Sequence, residues 1–168
     1  SCVGLTSFDA LITILAKNEY KYIISVPLAI GLSNAVRAVA LMFGPVFLSK
    51  YVTKENLHYL LIFQGLSIIL WGFMQSNFYI SLIALFIVGL STTTLWSFTY
   101  ALLQDNCDER YIGRVISYND MFFMLSCVVT TLFIGLMASL TSVDIITTLL
   151  GVGFLAFAFY YTRILKWI

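Results

Sequence analysis

The feature that most constrains this chain is a series of long apolar runs separated by short polar breaks. Only 10% of the residues are charged and 61% are apolar, whereas a soluble domain carries about 25% charged residues. A bilayer core about 30 Å thick is crossed by a helix of about 20 apolar residues, and most of the runs reach that length. The sequence therefore predicts a protein that crosses a membrane several times.

Hydropathy and its breaks predict six spans in one bundle that covers residues 1–168. In lipid, backbone polar groups must be satisfied within a helix or a closed barrel. The runs are too long and too uniformly apolar for the alternating strands of a barrel, so an all-α membrane protein is predicted. The spans lie near residues 1–17, 22–49, 57–75, 78–104, 115–139 and 143–165.

The first apolar run is short for a membrane span. It extends from Ser1 to Ala16, sixteen residues before Lys17, which is about 24 Å of helix. No positively charged region precedes it, so it does not have the pattern of a signal peptide. We expect the first helix to be truncated and the chain to be the C-terminal piece of a longer protein. A natural short protein is the alternative.

The distribution of Lys and Arg predicts the orientation of the bundle. Six of these nine residues fall on one predicted side, two on the other, and one inside a span. The six are Lys50, Lys54, Arg110, Arg114, Arg163 and Lys166, the two are Lys17 and Lys21, and Arg37 lies within the second span. Cytoplasmic connections carry the excess of basic residues, so the second and fourth connections and the C-terminus are predicted to be cytoplasmic.

Polar residues are concentrated in four of the six spans. They are Thr6, Asp9 and Thr13 in the first span, Asn34 and Arg37 in the second, Thr93, Ser97, Tyr100 and Gln104 in the fourth, and Asn119, Asp120, Ser126 and Thr130 in the fifth. The spacing of the fourth-span residues places them on one helical face. We predict that these four spans line a wet cavity and that the third and sixth face lipid. Alternatively, the hydroxyl groups only bond back to their own helices.

Asp9 and Arg37 are the residues that are most costly to place in a membrane. A charge at mid-bilayer costs at least about 2.5 kcal/mol, so such a residue usually faces protein or water and has a function. From the outer connection their depths are about 12 Å and about 22 Å, an offset that two extended side chains can span. The two residues can form either a structural pair or a substrate or proton site in the cavity, and a snorkelling Arg37 is a further alternative.

The sequence contains no motif of a soluble enzyme or a metalloprotein. His-Glu-x-x-His, Gly-x-Ser-x-Gly and the Gly-x-x-x-x-Gly-Lys-Ser/Thr phosphate loop are absent. His58 and the three cysteines show no metal-ligand or disulfide spacing. A net charge of +1 without a basic run argues against nucleic acid as a partner. We therefore expect a protein without catalytic activity, metal or cofactor.

The fourth connection and the fifth span carry a resemblance to a known family. Residues 110–117 read Arg-Tyr-Ile-Gly-Arg-Val-Ile-Ser, and the following span ends in Gly-Leu-Met-Ala at 135–138. This pattern resembles the join between the tenth and eleventh helices of the major facilitator superfamily, most closely its bacterial siderophore, macrolide and multidrug exporters. Gly44, Lys50 and Lys54 match the loop after the eighth helix loosely, without its acidic residue.

The resemblance covers the whole chain and implies the C-terminal half of a twelve-helix transporter. It implies two inverted three-helix repeats and a cavity lined by the first, second, fourth and fifth helices. It also implies a bacterial inner-membrane protein that works by alternating access, as a proton-coupled exporter of a small amphipathic organic molecule. Half a transporter would need its N-terminal half or a second copy of itself.

Two sets of residues are expected to function in such a transporter. The pathway residues are Thr6, Asp9, Asn34, Arg37, Thr93, Trp96, Ser97, Tyr100 and Gln104. The residues of a cytoplasmic gate are Lys50, Lys54, Asp108, Glu109, Arg110 and Arg114. A non-transporting membrane scaffold, or a fragment without independent activity, is the alternative. An intramembrane enzyme is disfavoured because no catalytic constellation is present.

Overall fold

The computed structural model describes residues 8–48, 50, 52, 53 and 56–165. These ranges contain six α-helices, a short 3₁₀ helix at Tyr20–Tyr22 and no strand. The α-helices are α1 (Phe8–Asn18), α2 (Val26–Leu48), α3 (Leu57–Met74), α4 (Phe78–Asn106), α5 (Ile112–Met137) and α6 (Val143–Leu165).

Five helices, α2 to α6, are long and apolar enough to cross a membrane. The prediction of an all-helical chain is confirmed for the described residues, and five of the six predicted spans are helices with the length and composition of membrane spans. The described part of α1 has 11 residues, or about 16 Å of helix. Residues 1–7 and 166–168, and with them the start of the first predicted span, lie outside the described ranges.

The helix boundaries differ from the predicted spans in two informative places. α2 begins at Val26 rather than at 22, because the preceding residues form the 3₁₀ helix with Tyr20 buried. α5 begins at Ile112 rather than at 115, so Arg114 lies in its first turn. In both cases hydropathy marked where apolar residues start, which is not where backbone hydrogen bonding starts.

A buried polar cluster brings three segments together at one end of the bundle. The Tyr20 hydroxyl donates to the Gln75 carbonyl oxygen at 2.9 Å and lies 2.9 Å from the Ser81 hydroxyl. The Gln75 side-chain amide donates to Thr147 Oγ1 at 2.8 Å. The α1–α2 connection, the α3–α4 connection and the start of α6 therefore share this end, where burial raises the pKa of Tyr20 above its ordinary value.

Two helix pairs approach closely through small residues. Between α2 and α4, a Cβ added at Gly44 would collide with the Leu90 carbonyl group, and one at Gly89 would lie 2.7 Å from the Ala40 Cβ. Between α3 and α6, a Cβ at Gly151 would lie 2.9 Å from the Gly65 carbonyl oxygen. Small residues permit backbones to pack this closely, and close packing drives helix association in lipid.

α3 and α4 are joined by buried hydrogen bonds as well as by apolar packing. The Gln64 side chain accepts from the Ser91 hydroxyl and donates to Thr92 Oγ1 at 3.1 Å. Because its polar groups bond to α4, Gln64 is fully buried and half of the most apolar stretch of α3 is covered by protein. The third span, predicted to face lipid, is thus half covered by protein and keeps an exposed apolar face that includes Tyr59, Phe63 and Phe73.

α5 packs against the bundle far less than any other long helix. Of its 26 residues only Thr130 and Ile134 are buried, and its contacts are small patches on α4 and α1. The side of the bundle next to α5 is therefore open, and the cavities that bear on function lie there.

Candidate functional site

A cavity of about 410 Å³ opens between α1, α2 and α4. Its wall contains six of the predicted pathway residues: Asp9, Arg37, Thr93, Trp96, Ser97 and Tyr100. Phe8, Leu41 and Thr92 complete the lining. Three helices that are otherwise apolar thus direct charged, hydroxyl and aromatic groups into one space, which is here named the Asp9–Arg37 cavity.

Asp9 and Arg37 form an ion pair in the wall of this cavity. Arg37 Nη2 donates to Asp9 Oδ1 at 2.8 Å and joins α1 to α2. The Arg37 side chain is 20% exposed, whereas that of Asp9 is 72% exposed. The pairing that the sequence left open therefore occurs, with the cation mostly covered by protein and the carboxylate facing open space. Pairing lowers the cost of placing both charges among apolar helices.

The α4 stripe enters the cavity over most of its predicted length. Thr93, Ser97 and Tyr100 line the cavity, whereas Gln104 is exposed and lies outside its lining. Thr92, a neighbouring residue outside the stripe, also lines it while bonding back to the Val88 carbonyl at 2.8 Å. The Thr-Thr-Thr run at 92–94 indicated more than one hydroxyl group at this level of α4, but the spacing of the predicted stripe includes only Thr93.

Aromatic rings form the wall of the cavity that faces α5. The Trp96 and Tyr100 rings stack with centroids 5.4 Å apart, and the Phe123 ring of α5 meets Trp96 edge-on at 4.6 Å. Aromatic side chains present a large apolar surface and can also bind a cation over the ring face. The ring stack gives the cavity an apolar wall.

Asp120, on α5, is a second acidic residue that is bonded to the lining of the cavity. Its carboxylate accepts a hydrogen bond from the Tyr100 hydroxyl and another, at 3.4 Å, from the Asn119 amide. The bond ties α5 to α4 beside a cavity-lining ring. The sequence showed Asp120 as a polar residue of the fifth span without assigning it to the site. An ionisable residue within a predicted span is by itself a reason to propose a functional site there.

Two described pathway residues, Asn34 and Gln104, are outside the lining of the cavity. Asn34 is half-buried on α2, outside the cavity lining, and its buried Oδ1 has no hydrogen-bond partner in the described structure. Thr6 lies outside the described residues. Among the described pathway residues of α1 and α2, those that line the cavity are therefore Asp9 and Arg37.

The residues of the predicted cytoplasmic gate are exposed around the α2–α3 and α4–α5 connections. Lys50, Asp108, Glu109, Arg110 and Arg114 are all exposed, and Lys54 lies outside the described ranges. Asp108 Oδ1 accepts from the backbone N–H of Arg110 at 3.2 Å, which shapes the turn before α5. Within the described part of the chain these residues form no ion pair with one another, and the gate role stays a prediction.

The chemistry of the cavity is that of binding. It offers one carboxylate, one largely covered guanidinium, several hydroxyl groups and three aromatic rings. A mostly apolar pocket with a few convergent polar groups is typical of small-molecule sites. In the part of the chain that the structure describes, no three His, Cys, Asp or Glu side chains come together as a metal site would require.

Comparison with known proteins adds no family to this description. No protein-family model, no curated protein and no solved structure matches the chain. The resemblance to the major facilitator superfamily therefore rests on the residues quoted from the sequence and stays a prediction.

Proposed function

We propose that the chain is the C-terminal half of a secondary active transporter that exports small amphipathic organic molecules in exchange for protons. The Asp9–Arg37 cavity would be its half of the pathway. The observation that carries the proposal is the ion pair in the wall of an open cavity among apolar helices. Charged residues within membrane helices usually mark substrate or ion pathways.

The exposure of Asp9 favours transport over a purely structural role. A pair whose only role was to hold α1 to α2 would not need a carboxylate that opens onto a cavity. Instead the Asp9 side chain is 72% exposed, next to a cavity with aromatic walls. An exposed carboxylate in the wall of a cavity supports a role in contact with a substrate or a proton.

The helix pairing supports two inverted repeats within the chain. α3 packs on α6, α2 packs on α4, and α1 touches α5. A two-fold axis that exchanges α1 with α4, α2 with α5 and α3 with α6 would generate this set of pairs. Transporters with inverted repeats bind their substrates where the repeats meet. The α1–α5 contact is much smaller than its counterpart between α2 and α4, so the symmetry is approximate at most.

The open side of the bundle supports a need for a second half. The cavity is bounded by α1, α2 and α4 and lies open elsewhere, and most of α5 is uncovered. An N-terminal half or a second copy of the chain would close this side and provide the surface against which access alternates. In this arrangement the end that carries Lys50, Arg110 and Arg114 faces the bacterial cytoplasm.

The test is transport in inverted membrane vesicles from cells that make the protein in its natural full-length form. Ethidium, an amphipathic aromatic cation, is the probe, and an imposed pH gradient is the driving force. Asp9→Asn and Arg37→Ala should each lower gradient-driven uptake about tenfold or more, because each breaks the pair and leaves its partner unmatched. Ser76→Ala, at an exposed position in the α3–α4 connection, is the control.

Near-normal uptake in both cavity variants would contradict the assignment of the site. Uptake by the unaltered protein that ignored the pH gradient would contradict proton coupling.

A non-transporting scaffold is the second candidate function. Thr13, Thr94 and Thr99 each donate to a carbonyl four residues earlier at 2.8–2.9 Å, so many hydroxyl groups serve their own helices. The scaffold hypothesis predicts vesicles without gradient-dependent uptake and a stability loss in both cavity variants.

A further inference from the structure

The bundle has further cavities outside the Asp9–Arg37 cavity. One, of about 650 Å³, lies between α1 and α5, shares Asp9 with that cavity and belongs to the open side of the bundle. Another, of about 310 Å³, is a groove where α2 ends and α3 begins, here named the α2–α3 groove. Its lining residues are Leu48, Val52, Asn56, Tyr59, Leu60 and Phe63. None of them lines the Asp9–Arg37 cavity, so the proposed function leaves this groove without a role.

The α2–α3 groove has a polar end and an apolar body. Asn56 directly precedes α3, which begins at Leu57, and the lining beyond it is apolar apart from the Tyr59 hydroxyl. Phe63 lies six residues after Leu57, or about 9 Å along the helix. In a helix with the length and composition of a membrane span, the first turn lies near the headgroups. The groove therefore extends from headgroup level into the hydrocarbon.

The groove opens on the exposed face of α3. Tyr59, Phe63 and Leu66 are 64%, 42% and 53% exposed, and their spacing of four and three residues places them on one side of the helix. Water enters a cavity only where polar groups can bond to it. An apolar groove on such a face is therefore filled by an acyl chain or by an apolar segment of protein.

The charge beside the polar end of the groove is positive. Lys50 is exposed, lies between the lining residues Leu48 and Val52, and forms no ion pair with another described residue. The Asn56 side chain makes no cap hydrogen bond. The start of α3 therefore adds the partial positive charge of its first backbone N–H groups. A lysine beside a groove between membrane helices favours a lipid with an anionic headgroup.

We propose that the α2–α3 groove binds an anionic phospholipid. Its phosphate lies at Lys50 and the start of α3, and one acyl chain follows the groove past Tyr59 to Phe63. The positive charge favours this lipid over a zwitterionic one, and the polar end at headgroup level favours it over an apolar protein segment. The proposal goes beyond transport, since it applies equally if the chain is a scaffold.

The experiment is photo-crosslinking of the full-length protein in lipid nanodiscs. The probes are phosphatidylglycerol and phosphatidylcholine with the same diazirine-bearing acyl chain, and labelled residues are identified by mass spectrometry. Phosphatidylglycerol should label Tyr59 and Phe63 about fivefold more than phosphatidylcholine does, the scale on which one lysine at a membrane surface selects anionic lipid. Phe73, which is 75% exposed on the same helix and outside the groove, should be labelled equally by both lipids.

Two matched pairs of variants separate the charge from the groove. Lys50→Gln should lower the preference for phosphatidylglycerol to less than about twofold. Lys21→Gln, at an exposed position at the opposite end of α2, should leave the preference unchanged. Phe63→Ala should lower the labelling of Tyr59 by both lipids about threefold, because the acyl chain loses contacts with the wall. Phe73→Ala should not change it.

The other outcomes overturn the proposal in distinguishable ways. Equal labelling of Tyr59 by the two lipids, or equal effects of Lys50→Gln and Lys21→Gln, would show that the groove does not select an anionic headgroup. An absence of labelling at both Tyr59 and Phe63 in the full-length protein would show that protein covers the groove. Lys50→Gln alters only an exposed side chain, so its result decides the charge assignment even if Phe63→Ala lowers the thermal stability. None of these outcomes affects the proposed role of the Asp9–Arg37 cavity.

Discussion

α3 and α5 are similarly apolar helices, but α3 is half buried in the bundle and α5 is mostly exposed. Their mean hydropathies are 1.6 and 1.9, but half of the most apolar stretch of α3 is buried in the protein, against 11% of that of α5. α3 meets α6 at Gly65 and α4 at Gln64. α5 contacts α4 mainly beside the Trp96–Tyr100 ring stack, through Phe123 and Asp120.

The difference shows what hydropathy measures in a membrane protein. Apolar content favours transfer of a helix into lipid. Because lipid tails are as apolar as the helix, however, apolar content does not favour contact between helices. Contact comes from small residues that let backbones approach and from polar side chains that bond across the interface. α3 has both, whereas α5 lacks close glycine contacts and so leaves two cavities open beside it.

The largest effect is expected where the close packing of α3 depends on a glycine of α6. Gly151→Leu would drive its side chain into the Gly65 carbonyl and the Ile69 backbone. Overpacking against backbone should lower the free energy of unfolding by about 3 kcal/mol or more. Unfolding in mixed micelles with increasing SDS measures the change. The matched variant on α5 is Gly135→Leu, which should shift it by less than about 0.5 kcal/mol.

A comparable loss in the two variants would remove the contrast between the helices. It would mean that α5 is packed as tightly as α3.

A smaller effect is expected from the polar link of α3. Gln64→Leu removes two hydrogen bonds and leaves the Ser91 hydroxyl without its partner on α3. The free energy of unfolding should fall by about 1–2 kcal/mol. On α5, Ser126 donates to the Phe122 carbonyl of its own helix at 2.8 Å. Ser126→Ala should therefore change stability by less than about 0.5 kcal/mol in the same assay.

An equal cost for Ser126→Ala would show that α5 has a polar contact across helices. If Gln64→Leu did not lower the free energy of unfolding, packing alone would hold α3 against α4.

The smallest loss of stability is expected at the hydrogen bond between Tyr100 of α4 and Asp120 of α5. The same change should make α5 clearly more mobile. Tyr100→Phe removes the hydrogen bond to Asp120 and should lower stability by only about 1 kcal/mol. Because so little else holds α5, the space between α1 and α5 that Cys127 lines should open more often. The labelling rate of Cys127 with N-ethylmaleimide should then rise several-fold, measured in protein with Cys2 and Cys107 replaced by Ser.

Tyr59→Phe, at an exposed position on the well-packed α3, is the control and should leave the rate unchanged. A Cys127 rate that did not respond to Tyr100→Phe would show that the hydrogen bond does not hold α5 in place.

The sequence by itself determined the elements and much of the first cavity. Apolar run length predicts the long helices, because the bilayer sets the length of apolar chain that a span needs. Helical spacing places Thr93, Ser97 and Tyr100 on one face of α4, and the cost of membrane charges selects Asp9 and Arg37. These arguments are local, or depend on the solvent, so they need no knowledge of which helices pack together.

Only the tertiary structure decided which face meets which helix. It joins Asp9 to Arg37, buries Gln64 of a span that seemed bland in sequence, and brings Asp120 to Tyr100. It also leaves Gly135 beside an open space while Gly151 is pressed against α3. The physical reason is that a helix in lipid gains little from hiding apolar side chains. Its partners are therefore selected by complementary shape and hydrogen bonding, which exist only once two surfaces meet.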